Sequence, residues 1–116
     1  MIFELILITG LIFSVPSEDI KRLNTSPTYI NSMVNMSVDC DCCANAKDPC
    51  MEDIGILASL DPVALDQACI DLVYNSTDKG RDTLVERIES KNGLLTIDAA
   101  EKQGVGTKEY ELIELD

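Results

Sequence analysis

The chain has 116 residues, the size of one small domain. Its formal net charge is -12, from 9 basic against 21 acidic side chains, and so acidic a surface disfavours binding to nucleic acid and to anionic membranes. It has no histidine, which excludes imidazole acid–base catalysis, a Ser–His–Asp or Cys–His triad and histidine-containing zinc sites. Hydrophobic residues make up 46% of the chain, so a packed core is expected rather than disorder.

The N-terminal segment, residues 1–27, is predicted to combine an apolar element with a polar linker. Residues 5–13 form an apolar run that suits a buried strand or short helix. The run is too short for a membrane anchor, since a spanning helix needs about 20 apolar residues. A signal segment is the alternative, but Glu4 rather than a basic residue precedes the run, and residues 14–17 make a poor small-x-small cleavage site. We therefore expect a retained segment in a cytoplasmic protein, with Ile6 and Ile8 buried if it forms a strand; export is the alternative.

Residues 28–116 are predicted to form a single α/β domain around a small mixed sheet. Residues 29–38 have moderate strand character, and the apolar run at residues 54–58 is typical of a strand buried on both faces. Three predicted helices and a final strand at residues 110–115 follow. The order of strand, loop, strand, three helices and strand predicts an α/β or α+β layer.

The first of the three helices has the clearest start. Asp61 is a good N-cap acceptor, and Pro62 fits the first helical position. The helix is predicted to run to about residue 74, with an apolar face made of Leu65, Ala68, Cys69, Leu72 and Val73. Two shorter helices are predicted at residues 82–91 and 96–104, the former with Leu84, Val85 and Ile88 facing inward. Gly104-x-Gly106 is predicted to be a flexible turn after the third helix.

The cysteine loop, residues 39–52, is chemically the most distinctive part of the sequence. Four of the five cysteines cluster there, which favours reduced thiols or ligands over a secreted disulfide framework. Thiolates are soft ligands for zinc, iron and iron–sulfur clusters. The usual two C-x-x-C knuckles and the four-cysteine ferredoxin run are absent. Cys40 and Cys42 alone cannot complete a tetrahedral site, so Cys43 or Cys50, a carboxylate or a second chain would have to contribute. The candidate metal ligands are Cys40, Cys42, Cys43, Cys50, Asp39 and Asp41; the alternatives are buried unreactive cysteines or a disulfide from Cys50 to another loop cysteine.

A second candidate site is the start of the first helix, where Ser59 and Asp61 are candidates for cofactor binding. A strand that runs into a helix N-terminus directs N–H groups outward, which favours anions, and open α/β folds bind ligands there. The alternative is that Asp61 itself caps the helix, and its negative charge also opposes a phosphate. Gly104-x-Gly106 follows a helix rather than a strand, so it does not match a dinucleotide fingerprint. Cys69 lies on the apolar helix face and is assigned to the core.

Three ordered segments, residues 38–42, 53–59 and 61–69, carry a resemblance to a known family. Together they resemble the C-terminal part of the domain of unknown function family 362. Downstream pieces also fit, so the resemblance covers roughly residues 29–116: Gly80–Asp82, Arg87–Ser90, Ala99–Glu101, Gly104–Gly106 and Glu109–Tyr110. Residues 1–27 do not look like the family domain, and Cys43 and Cys50 lie outside its pattern.

The resemblance implies a cytoplasmic, mostly prokaryotic protein whose fold is the C-terminal part of a larger α/β domain. Family members are often described as iron–sulfur-cluster-binding proteins, and the Cys-x-Cys element and the Asp-Pro helix start are implied to face a common site. We therefore expect a metal- or iron–sulfur-associated cysteine loop, with a cluster or a zinc or iron ion and a redox role, in a homo-oligomer or with a longer partner. A non-catalytic interaction domain, or a truncated vestigial domain without metal, is the alternative.

Overall fold

The structure is a computed structural model, and it describes the backbone of residues 3–8 together with residues 27–39 and 43–115. Within these ranges the chain forms four strands and three helices. The strands are β1 (Phe3–Ile8), β2 (Tyr29–Met33), β3 (Gly55–Ser59) and β4 (Tyr110–Leu115). The helices are α1 (Pro62–Tyr74), α2 (Arg81–Ser90) and α3 (Leu94–Lys102).

The four strands form one mixed sheet in the order β2-β3-β1-β4. β1 pairs antiparallel with β3 and parallel with β4, and β2 pairs antiparallel with β3. The small mixed α/β sheet with three helices that the sequence predicts is therefore confirmed. β1 comes from residues 1–27, so this segment and residues 28–116 both contribute strands to the same sheet. The burial predicted for Ile6 and Ile8 lies outside the described side chains.

β2 is shorter than the predicted strand at residues 29–38, because the backbone turns after Met33. Asn35 has a φ of 53°, a left-handed conformation that leaves the extended path of a strand. Its N–H donates to the Asp53 carboxylate at 2.7 Å instead of joining the sheet. The Ile54 N–H donates to the Met33 carbonyl at 2.9 Å, which brings the far end of the cysteine loop back beside β2. The loop therefore leaves and rejoins the sheet at one place.

The core lies between α1 and one face of the sheet. Leu57 of β3 and Leu65 of α1 are fully buried, and the other buried members of this cluster are Met33, Met51, Ala64, Ala68 and Val73. The predicted apolar face of α1 is confirmed for Leu65, Ala68 and Val73. Cys69 and Leu72 are half-buried at its margin. At about 25 cal/mol per Å² of apolar surface removed from water, this face stabilises the fold more than helix propensity can.

The two shorter helices pack against α1 and expose most of their surface. α2 buries no residue completely, although Leu84, Val85 and Ile88 pack against the core as the sequence predicts. α3 buries only Ile97 and begins two residues earlier than predicted, at Leu94. Among the described helices, none has the length and apolar character needed to cross a bilayer.

The second face of the sheet contrasts with the face under α1. Side chains alternate between the faces of a strand, so residues next to buried Leu57 and Ser59 point away from α1. On that second face Ile56 and Ala58 are half-buried and Ile30, paired with Ala58, is 50% exposed. This face therefore presents apolar side chains outside the α1-centred core.

Candidate functional site

The start of α1 is built around the Asp61 carboxylate. Its Oδ1 atom accepts bonds from the N–H groups of Val63, at 2.8 Å, and Ala64, at 3.1 Å. Asp61 has extended backbone angles, and Pro62 occupies the first helical position. The predicted N-cap is therefore confirmed, and the free N–H groups of the first turn are satisfied by the chain itself.

A second segment of the chain closes over the same carboxylate. Asp61 Oδ2 accepts the Thr107 N–H at 2.9 Å, and the Asp61 N–H donates to Ser59 Oγ at 3.0 Å. Ser59 is 5% exposed and Asp61 3% exposed. We call Ser59, Asp61, Gly106 and Thr107 the Asp61 cluster. A buried carboxylate is costly unless hydrogen-bonded, and three backbone donors meet that requirement here.

Gly106 is the member of the Asp61 cluster whose role the sequence does not reveal. A Cβ atom on this residue would lie 2.0 Å from Asp61 Oδ1, so only glycine lets the backbone approach the carboxylate. The turn that Gly104-x-Gly106 was predicted to form is thus a close packing contact at Gly106. Gly104, in contrast, has a φ of 75° and open space around it, as expected of a glycine in a turn.

The geometry of the Asp61 cluster bears on the predicted cofactor role of Ser59 and Asp61. Both side chains use their oxygen atoms within the fold, and no buried side-chain nitrogen or oxygen among the described residues lacks a partner. An anionic ligand at this helix start would have to displace the Asp61 carboxylate from the N–H groups of Val63 and Ala64. The cofactor role of these two residues stays a prediction.

Two arms of the cysteine loop are joined by hydrogen bonds. Residues 36–39 form the outgoing arm, which follows β2, and residues 47–50 form the returning arm; we call the two arms the loop stem. The Cys50 N–H donates to the Met36 carbonyl at 2.8 Å. One step further out, Ser37 Oγ donates to the Lys47 carbonyl at 3.0 Å. The arms therefore meet at two successive points and enclose a short tip that carries Cys43.

The base of the loop is docked on the segment before α2. A Cβ atom on Gly80 would lie 1.5 Å from the carbonyl oxygen of Cys50, so the two backbones are in direct contact. The Asp78 carboxylate bridges the same place, accepting the Gly80 N–H at 2.6 Å and the Glu52 N–H at 3.3 Å. Met51 is 7% exposed and belongs to the core. The end of the returning arm is therefore packed against the core and against the segment before α2.

The predicted metal ligands fall at different depths in this loop. Asp39 is half-buried and forms an ion pair with Arg87 of α2, with 3.3 Å between Asp39 Oδ1 and Arg87 Nη2. Cys43 is exposed near the tip. Cys50 is half-buried at the base, where its Sγ donates to the Met36 carbonyl at 3.4 Å. The remaining three predicted ligands, Cys40, Asp41 and Cys42, lie outside the described residues.

The described thiols are all unpaired, and they differ in environment. Cys43, Cys50 and Cys69 are free cysteines. Cys69 lies at the edge of the core, and its Sγ accepts a bond from Asn31 Nδ2 at 3.5 Å. Burial raises the pKa of the Cys69 thiol, with a smaller increase from Asp66 and an opposing effect of Asn31. A thiol held neutral in this way is a structural group rather than a reactive one.

The donor set of the loop has the right chemistry for a soft metal, although its described part is not a finished site. Thiolate sulfur suits zinc, iron and iron–sulfur clusters. In the part of the chain that the structure describes, no three Cys, Asp or Glu side chains come together in an arrangement that could hold a metal ion. Any such site therefore needs the tip residues at positions 40–42.

A further contact ties β4 to α1 through Tyr110 and Asp71. The Tyr110 hydroxyl donates to Asp71 Oδ2 at 2.6 Å, and Gln67 Nε2 donates to Asp71 Oδ1 at 2.9 Å. Burial, followed by the bond to Asp71 and repulsion from its charge, raises the pKa of Tyr110 to about 12. The segment from Thr107 to Tyr110 is thus bound to α1 at both of its ends.

Comparison with known proteins gives one result that bears on this architecture. The model of the family described as Domain of unknown function (DUF362) matches residues 9–71, which is more than half of the chain. The match includes the whole cysteine loop, β3 and the start of α1. The match begins at residue 9, so the expectation that residues 1–27 do not resemble the family is wrong from residue 9 onward. It ends at residue 71, so the downstream motifs of residues 80–110 lie beyond it. Comparisons with the curated proteins and with the solved structures found no match. The chain belongs to the family described as Domain of unknown function (DUF362).

Proposed function

We propose that the cysteine loop binds a metal ion, either zinc or iron, or an iron–sulfur cluster, and that the protein acts in a redox-linked process. The thiolates of Cys40, Cys42 and Cys43 are the primary ligands. Cys50, the carboxylate of Asp41 or a second chain completes the set, because a structural zinc site takes four ligands. When bound, the group would supply Lewis-acid or electron-transfer chemistry at the loop tip.

The observation that carries this proposal is the closure of the loop stem. The Ser37–Lys47 contact at 3.0 Å leaves nine residues in the enclosed tip, and three of them are cysteines. A chain of four residues spans at most about 14 Å even when fully extended, so the three thiols at positions 40, 42 and 43 cannot lie far apart. By joining the two ends of the tip, the stem reduces the number of conformations open to it. This lowers the conformational entropy that is lost when a ligand binds.

Cys50 is a weaker candidate than the three tip cysteines. Its thiol donates to the Met36 carbonyl, and Met36 precedes Cys40 by four residues. As a ligand it would have to lose that bond and its proton. We therefore propose that Cys50 supports the stem when no metal is bound. It is an optional fourth ligand when metal is present.

Anaerobic purification followed by metal analysis and an absorption spectrum tests the proposal. The wild type is expected to contain zinc, iron or iron with acid-labile sulfide. Replacing Cys40 and Cys42 together with serine should abolish the metal content and leave the helical circular-dichroism signal unchanged. Cys69→Ser is the matched control, since it also removes a thiol but does so on α1. A metal-free wild type, or a double variant with unchanged metal content, contradicts the proposal.

A second candidate function is a non-catalytic interaction domain, and the exposed apolar side chains favour it. Ile30 on the second face of the sheet is 50% exposed, and Leu95 and Val105 near α3 are 63% and 58% exposed. Ile30 lies on a sheet face that carries further apolar side chains, and an apolar face of this kind is a place where another protein could bind. Light scattering separates the candidates: a metal-free protein whose association state falls after Ile30→Ser would support this function over metal binding.

A further inference from the structure

We propose that Arg87 is a positioning residue for the cysteine loop, and that Asp39 is its anchor rather than a metal ligand. This inference rests on the proposed function and deepens it, because it removes one carboxylate from the ligand set and leaves Asp41 as the acidic candidate. The ion pair between the two side chains is its starting point.

The ion pair acts immediately beside the first tip cysteine. Arg87 Nη2 lies 3.3 Å from Asp39 Oδ1, and Asp39 directly precedes Cys40 in the chain. Consecutive Cα atoms are about 3.8 Å apart, so fixing Asp39 restricts where Cys40 can be. The Asp39 side chain is 22% exposed, which leaves the pair less screened by salt than a pair between fully exposed groups.

The same helix region holds both arms of the loop stem. Residues just before α2 contact the returning arm and the chain that follows it. Gly80 meets the backbone of Cys50, and the Asp78 carboxylate accepts the Glu52 N–H. Arg87, in the last turn of α2, forms the ion pair with Asp39 of the outgoing arm. α2 therefore contacts both arms of the loop, while its Leu84, Val85 and Ile88 side chains pack against the core.

The pairing also has a chemical consequence for the loop. A carboxylate engaged by a guanidinium is a poorer ligand, since binding a metal would mean giving up a charge-assisted bond. Asp39 therefore serves as an anchor of the loop, and Asp41 is left as the acidic candidate for the ligand set.

A mutant cycle with two readouts tests the inference. The variants are Arg87→Met, Asp39→Asn and the double variant, with Lys91→Met as a control that removes one positive charge just after the same helix. The first readout is amide hydrogen exchange of residues 36–50 in the metal-free protein. We expect each single variant to speed exchange about two- to five-fold, the usual effect of a partly exposed ion pair. The double variant should match the single ones, and Lys91→Met should match the wild type.

The second readout is metal affinity, measured for variants whose thermal midpoint is unchanged. Arg87→Met and Asp39→Asn should weaken affinity by the same small factor, about two- to five-fold, and Arg87→Lys should restore part of it. A loss of ten-fold or more in Asp39→Asn alone would identify Asp39 as a ligand and overturn the inference. Unchanged hydrogen exchange in Arg87→Met would overturn it as well. If the wild type holds no metal, the proposed function fails, while the exchange experiment still decides whether the anchor exists.

Discussion

The Asp61 cluster and the cysteine loop use the same kind of residue for different ends. Asp61 and Asp39 each carry a carboxylate in a loop next to a strand. Asp61 is 3% exposed and accepts three backbone N–H groups from two distant segments. In the part of the chain that the structure describes, the Asp39 carboxylate contacts the half-exposed side chain of Arg87 at 3.3 Å. The first carboxylate is a structural part of the fold. The second lies in a surface loop, where folding does not require its hydrogen bonds.

The two carboxylates differ because their partner groups differ in access to water. At Asp61 the acceptor satisfies backbone donors that would otherwise be buried without partners, and such donors are costly to leave unmet. At Asp39 water can replace the partner, so the pair contributes at most about 1 kcal/mol. Substitutions in the cluster should therefore change stability, and substitutions in the loop should change binding.

The largest expected effect is at the base of the cysteine loop. Gly80→Ala would place a Cβ atom 1.5 Å from the Cys50 carbonyl oxygen, and backbone must move to relieve the clash. We expect the free energy of unfolding to fall by about 3 kcal/mol, as overpacking of a rigid site does. Urea denaturation measures it. Gly104→Ala, in open space but with a φ of 75°, is the control and should cost about 1 kcal/mol; equal losses would mean that the base is not tightly docked.

The next effect is at the centre of the Asp61 cluster. Gly106→Ala would place a Cβ atom 2.0 Å from Asp61 Oδ1. The obstructing group is a side chain, but three hydrogen bonds hold it, so the expected loss is about 2 to 3 kcal/mol. The measurement and the Gly104→Ala control are the same as for Gly80. A loss no larger than that of the control would show that the carboxylate can move aside.

Removing the carboxylate itself should cost slightly less. An ordinary N-cap contributes about 1 kcal/mol, but Asp61→Ala also leaves the Thr107 N–H without its acceptor, which raises the expected loss to about 2 kcal/mol. Asp61→Asn keeps one acceptor oxygen and should retain part of the stability. Chemical denaturation of the two variants checks the order, and an Asp61→Asn variant as stable as the wild type would show that the negative charge contributes nothing.

Alkaline pH should loosen the contact between β4 and α1. The folded state raises the pKa of Tyr110 from 10 to about 12, so it binds the phenolic proton more tightly than the unfolded chain does. The resulting stability is fully present below pH 10 and is lost as pH rises towards 12. Burial also raises the pKa of Cys69, which adds a loss in the alkaline range. Tyr110→Phe should flatten the decline of unfolding free energy in this window, whereas the control Tyr29→Phe should not.

The smallest expected effect is in the loop stem. Ser37→Ala removes the hydroxyl that donates to the Lys47 carbonyl at an exposed position, so the global stability should fall by only about 0.5 kcal/mol. Metal content should nonetheless decrease, because the stem encloses the tip. Denaturation and metal analysis on the same sample check both halves. A stability loss as large as that of Asp61→Ala would erase the proposed difference between the two regions.

Much of the fold was predictable because its signals are local. The start of α1 was found from Asp61 and Pro62, and β3 and β4 were found within one residue of their bounds. N-caps, helical spacing and short apolar runs act over a few residues, so one stretch of sequence contains all the information. The end of β2 was missed because it depends on Asn35, whose left-handed backbone is fixed by a bond to Asp53.

The sequence by itself determined the elements, the N-cap and the concentration of thiols in one loop. Only the tertiary structure decided which of these features meet. Thr107 reaches Asp61 across 46 positions, Arg87 reaches Asp39, and β1 pairs with β4 at the other end of the chain. Such contacts form only when the packing of α1 on the sheet gathers segments that no short-range preference brings together, because their ordering cost is repaid only by the whole core. Gly106 had no recognisable signal in the sequence for that reason.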